Sequence, residues 1–223
     1  MTIKFFNDPQ AMGKLLSTLL AGTAVTLRIF ALTLLFSIPL GILTSVARMS
    51  RHRAVRIPVA TAIYFLRGTP LMLQLMVVYF LLPMVLPISI DRFWAAILAF
   101  SINYAAYFAE IFRGGIESIP AGQSEAAQVL GFTKVQTFVR IILPQVAKRV
   151  LLPVTNEVIT LIKDTSLAFT ISVAELMRAA KTEVSRTTSV EPYLVALLVY
   201  LALNGITEQV CRLIGKRMDY YRS

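Results

Sequence analysis

The sequence predicts an all-α membrane protein with five transmembrane helices, and three observations predict it. The chain has 223 residues, 57% hydrophobic and only 15% charged, more apolar surface than a soluble domain of this size can bury. The apolar residues fall into five windows, each near or above the roughly 20 residues that cross a bilayer's hydrocarbon. Lys and Arg gather in alternate connections between those windows, the asymmetry that orients membrane helices.

The first window, 15–47, has Arg28 as its sole charge. It is too long for a signal-peptide core and lacks a small-residue cleavage site, so it reads as a retained span. The second, 57–82, contains Arg67 and the sequence Gly68-Thr69-Pro70, where proline removes a donor and a helix irregularity is expected. The third, 93–112, has Asn103, Tyr107 and Glu110 at helical spacing, a stripe suited to hydrogen bonding between helices. The fourth, 150–173, is unusual in containing Glu157, Lys163 and Asp164, and the fifth is 193–211.

Thirteen basic residues fall on one side: Arg48, Arg51, Arg53 and Arg56, then Arg113, Lys134, Arg140, Lys148 and Arg149, then Arg212, Lys216, Arg217 and Arg222. Six fall on the other: Lys4, Lys14, Arg92, Arg178, Lys181 and Arg186. The majority side is expected in the cytoplasm, with the N-terminus outside and the C-terminus inside. The formal charge of +10 is then a property of cytoplasmic loops, and no nucleic-acid partner is expected. Without repeats or low-complexity segments, residues 1–223 read as one transmembrane domain.

The connection 113–149 is too rich in signals for a floppy linker. Gly114-Gly115 should stop span three, and Ile119-Pro120-Ala121-Gly122 reads as a turn. Ser124 is expected to cap a short helix with Glu125 in its first turn, and Gly131 to end it. Thr133 and Gln136 fit a capping box for a second helix, which Pro144 should end.

Glu125-Ala126-Ala127, Gly131, Ile141 and Leu143-Pro144 resemble the EAA loop of bacterial ABC-importer permeases. Phe65-Leu66-Arg67-Gly68-Thr69-Pro70-Leu71, Ala109-Glu110 with Arg113-Gly114-Gly115-Ile116, and Lys163-Asp164-Thr165-Ser166-Leu167 resemble its polar amino-acid branch. The resemblance runs from about Gly22 to the C-terminus. It implies a type I importer permease fold in a bacterial cytoplasmic (inner) membrane. It further implies a second permease copy or paralogue, two ATP-binding cassette subunits that hold ATP and Mg, and an extracytoplasmic amino-acid-binding protein. In such permeases the EAA loop forms a coupling helix that docks on the ATPase, a role carried onto Glu125, Ala126, Ala127 and Gly131.

The chain has no Gly-x-x-x-x-Gly-Lys-Ser/Thr phosphate loop. Its single histidine, His52, sits among arginines, and Cys211 is its one cysteine. Neither a metal cluster nor a nucleophile–base pair is legible, so ATP hydrolysis is expected in a partner and the chain is not read as an enzyme. Charges within a span mark function by default. Glu157, Thr160 and Asp164 step by three and four and share a helix face; Thr165-Ser166 should interrupt the helix beyond them and cap a second half-helix. With Arg28 and Gln74 they are the candidate substrate-binding residues for a polar amino acid, whose ammonium needs acceptors and whose carboxylate needs donors. Lys163 reads as a structural counter-charge. The alternative is an ion-coupled carrier using Glu157 and Asp164, against which the absence of an inverted repeat argues.

Overall fold

A computed structural model describes Phe5, residues 8–86 and residues 88–218, and the described residues contain helices and no strand. Lys4 and Arg222, counted above for orientation, lie outside the described residues. Helix α1 spans Pro9–Arg48, 40 residues, about 60 Å at 1.5 Å per residue and twice the hydrocarbon thickness. Helix α2 is Arg53–Gly68. Helix α3 is Leu71–Met76, continued through a π-turn, Val77–Leu81, into α4, Leu82–Val85. Helix α5 is Arg92–Glu117, α6 Ala121–Val129 and α7 Lys134–Thr137. A second π-turn, Phe138–Ile142, leads into α8, Leu143–Asp164. A 3₁₀ stretch, Thr165–Ile171, precedes α9, Leu176–Thr187, and α10 is Glu191–Met218.

Among the described residues, α1, α5 and α10 are long and apolar enough to cross a membrane, and α2 and α3–α4 meet the same test only when taken together, as a broken span or a re-entrant loop. The interruption falls where proline was expected to cause it: α2 stops at Gly68 and Pro70 caps α3 in extended conformation. The fourth expected span corresponds to α8, which is long enough at 22 residues but too polar to pass on composition. The apolar window of α5 is 67% buried within the chain and that of α10 only 6%. Leu194, Leu197, Leu198 and Leu201 are therefore a surface for lipid or another subunit.

The chain divides into two compact units, each assembled from three stretches of sequence. One comprises Met1–Leu35, Thr69–Ser101 and Val158–Glu208. Its core packs Ile29, Leu75, Ala96, Phe100, Ala168 and Ile171 together, and a second cluster sets Leu15 and Leu19 against Leu176, Ala180 and Ala196. The other comprises Phe36–Gly68, Ile102–Glu157 and Gln209–Ser223. There Ile119 packs on Ile142, Val146 and Val150, and Ile63 packs on Ala106 and Ala109.

Four local expectations are corrected. Gly114-Gly115 does not end span three: α5 continues to Glu117. Gly115 serves close approach instead, since a Cβ there would lie 2.2 Å from Val150 Cγ1. Ser124 is not an N-cap, because α6 begins three residues earlier behind Pro120, whose fixed φ of −58° leads into the helix. Pro144 does not end the second helix: it sits at the second position of α8, and the π-turn before it absorbs the missing donor, with Leu143 N–H bonding Phe138 C=O. Thr165-Ser166 interrupts α8 as expected, the Thr165 hydroxyl donating to Ile162 C=O at 2.6 Å. The helix beyond is capped by Glu175, not by that pair.

Gly115→Ala has opposing effects: about 0.5–1 kcal/mol of helix propensity gained against about 1–3 kcal/mol of overpacking. The expected outcome is a lower melting temperature in detergent, with Val150→Ala in the same chain restoring part of the loss.

Candidate functional site

The connection between α5 and α8 folds into a knob held at both ends. At the α5 end, Ser118 Oγ donates to Gly115 C=O at 2.7 Å, and the Arg149 guanidinium donates to Ser118 C=O. At the α8 end, Gln145 Nε2 lies 3.3 Å from Gln123 Oε1 and also donates to Ile141 C=O. Ala127 and Thr137 are buried beneath, at 1% and 5% exposure. Helix α6 ends in a Schellman motif: Gly131 at φ +80° bonds Gln128 C=O, and Phe132 N–H bonds Ala127 C=O. The Thr133–Gln136 capping box is formed in both directions, as the spacing predicts.

Of the coupling residues read from the sequence, Glu125 and Ala126 are exposed, and Gly131 makes the turn. Ala127 instead packs into its own chain. The outward surface gains Val129 and Leu130, 88% and 74% exposed, which the sequence reading did not single out. An exposed Leu in a loop carries no pattern by itself.

Below the knob, charges are matched. Glu110 takes two hydrogen bonds from Arg113 Nε, at 3.1 and 3.2 Å, and one from the Arg113 terminal nitrogen at 2.6 Å. Arg48 Nε lies 3.6 Å from the same carboxylate, and Glu117 takes the other arm of Arg113. The rest of the predicted stripe on α5 is also engaged between helices. Asn103 Nδ2 donates to Leu66 C=O at 3.1 Å, satisfying one of the orphan carbonyls at the end of α2, and Arg67 stands 5.1 Å over the Tyr107 ring. The link from Arg48 to Glu110 was hidden because their separation in sequence follows no helical period.

On α8, Glu157 and Thr160 are half-buried, Asp164 is half-buried at the last helical residue, and Lys163 is exposed. Gln74 uses its amide nitrogen locally, donating to Thr69 Oγ1 at 2.7 Å and to Thr69 C=O at 3.2 Å, so it secures the helix interruption. Arg28 is exposed on α1 and forms no ion pair with a described residue. No group of three His, Cys, Asp or Glu fit to hold a metal occurs among the described residues.

Glu175 is a buried polar centre that the sequence reading missed. Its carboxylate accepts from Met177 N–H at 2.7 Å, Arg178 N–H at 2.6 Å and the Tyr200 hydroxyl at 2.9 Å. Thr26 Oγ1 accepts from Leu176 N–H beside it. Glutamate is an uncommon N-cap, which is why the start of α9 was not legible. Burial pushes its carboxyl up to about 7 despite these donors. A folded-state value above the unfolded one means that the Glu175 contribution to stability is fully present below the ordinary carboxyl value and is lost as pH rises through about 7. Glu175→Ala is expected to cost about 2–4 kcal/mol, since it removes a cap and leaves buried donors unpaired. Glu175→Gln should flatten the pH dependence of melting between pH values of about 5 and 8.

The sequence profile described as binding-protein-dependent transport system inner membrane component matches residues 37–220. The chain is 39% identical over 204 residues to the arginine transport system permease protein ArtQ of Bacillus subtilis, covering 90% of this chain and 92% of that one. It is 37% identical over 202 residues to the L-cystine transport system permease protein TcyB of the same organism, covering 90% and 86%. A crystal structure of an amino acid ABC transporter with histidines superposes with a TM-score of 0.87 at 30% identity, over 97% of this chain and 100% of that one.

Proposed function

The chain belongs to the inner membrane components of binding-protein-dependent transport systems, and from that premise we propose that it is the permease subunit of an ATP-driven importer of a polar amino acid. The observation that carries the reading is the braced knob with a free outer face. Helix α6 alone, at nine residues, is too short to be stable in water; tied to α5 and α8 it presents Glu125, Ala126, Val129 and Leu130 as a fixed surface. Two ATP-binding cassette subunits, holding ATP and Mg, engage that surface on this chain and on a second permease copy or paralogue. Their closure biases the permease between states open to opposite sides of the membrane. Relatives named for arginine and L-cystine transport support an amino acid as cargo. An extracytoplasmic binding protein delivers it.

Within the chain, Glu157 offers an acceptor for the substrate ammonium, with Thr160 and Asp164 following on the same helix. Gln74, whose amide also holds Thr69, and Arg28 are proposed contacts of lower rank. Family membership leaves the ion-coupled carrier with no observation in its favour.

Glu125→Ala should lower substrate-stimulated ATPase activity and uptake in the reconstituted complex by about tenfold, equivalent to about 1.4 kcal/mol of docking. Its melting temperature should match wild type; unchanged coupled uptake would count against the knob. Glu157→Gln should raise the uptake KM by about tenfold through loss of a charge-assisted contact. Wild-type KM and rate in that variant would assign Glu157 to structure.

A further inference from the structure

A cleft of about 350 Å³ lies under the knob, between the loop after α1 and helices α6 and α7. Arg51 and Lys134 stand at it, with Ser124 and Gln128 from one face of α6. No carboxylate is among its described lining residues. Neither cation forms an ion pair with a described residue. The buried Thr137 also lines the cleft, and its hydroxyl has no hydrogen-bond partner among the described residues. Its backbone N–H bonds Thr133 C=O, the acceptor a helical threonine hydroxyl would ordinarily share. An orphaned buried hydroxyl is costly, so its retention beside two unneutralised cations points to a ligand that accepts hydrogen bonds and carries negative charge. Phe138 and Ile142 add an apolar wall.

We propose that this cleft binds a phosphate-bearing anion, with Arg51 and Lys134 neutralising its charge and Thr137, Ser124 and Gln128 donating to its oxygens. A phosphate offers several acceptor oxygens to such a mixed set of charged and neutral donors. Two sources share that chemistry, the headgroup of an anionic phospholipid and free inorganic phosphate. The site is separate from the outer face of α6, so it does not depend on how that face is used.

The full chain, purified and placed in nanodiscs, tests the proposal in two arms. In one, phosphatidylglycerol replaces part of a phosphatidylcholine bilayer. In the other, inorganic phosphate is titrated against chloride at matched ionic strength in pure phosphatidylcholine. A rise in melting temperature in the first arm, with phosphatidylglycerol retained on the protein in native mass spectrometry, assigns the site to lipid; a rise in the second assigns it to phosphate. In either case the Arg51→Gln/Lys134→Gln pair should weaken the effect by at least about tenfold in apparent affinity, as expected when two charge-assisted contacts are lost. Thr137→Val should weaken it less, and Arg53→Gln, outside the cleft, should retain it. Arg51 and Lys134 are exposed, so their variants keep the test decisive if Thr137→Val misfolds. No rise in either arm, or an equal rise in the double variant, overturns the proposal.

Discussion

The close approach of α5 to α8 at Gly115 is the constraint on which the knob depends. Val150 occupies the space a side chain at residue 115 would need, so the two helices meet where the chain leaves one and returns to the other. Arg149, the residue before Val150 on α8, thereby reaches Ser118 C=O. That bond caps the turn out of α5, while Ile119 drops onto Ile142, Val146 and Val150. A glycine that the sequence offers as a helix stop is thus a packing device, and the short helices beyond it inherit their orientation from that contact. With a larger residue at 115, the hydrogen bonds across the base of the knob would lose their common geometry even if every partner remained.

The same unit solves a second problem, the placement of charge beside apolar helices. Ionised groups near hydrocarbon are costly unless they are paired. Glu110 is paired twice over, by Arg113 on its own helix and by Arg48 at the end of α1. Arg67 is partly satisfied by the face of Tyr107. These contacts account for Glu110, Arg113 and Tyr107 on α5 and Arg67 at the end of α2 without invoking a substrate. The charges of α8 differ in position: Glu157 is half-buried in a helix whose composition departs from that of the lipid-crossing helices, and it therefore keeps its place as a functional candidate.

Legibility in the sequence followed the range of the cause. The three apolar windows that match long helices, the break at Pro70, the αL turn at Gly131 and the Thr133–Gln136 box were all readable, because each is set by residues near in sequence. Of the residues read for coupling, Glu125 and Ala126 are exposed, but Ala127 is buried, which no local pattern marks. Glu175 escaped notice for the same reason. Its significance comes from Tyr200 and Thr26, which no local pattern links to it. The continuation of α5 through Gly114-Gly115 was obscured because a glycine's preference to end a helix is weak beside a tertiary contact.

The π-turn before Pro144 bears on how a displacement at the knob would travel. A proline inside an α-helix ordinarily kinks it, since one carbonyl loses its donor and the ring crowds the preceding turn. Here the helix widens to a five-residue π repeat just ahead, and Leu143 N–H reaches back to Phe138 C=O. The backbone is consequently helical without interruption from Lys134 to Glu157. Pro153, inside α8, leaves that helix continuous as well, so the knob joins by unbroken helix the segment that carries Glu157. Pro144 then does not end the segment that follows Gly131. It marks where the segment joins the helix that carries the candidate substrate contact, and the π-turn is the local distortion that keeps the two continuous.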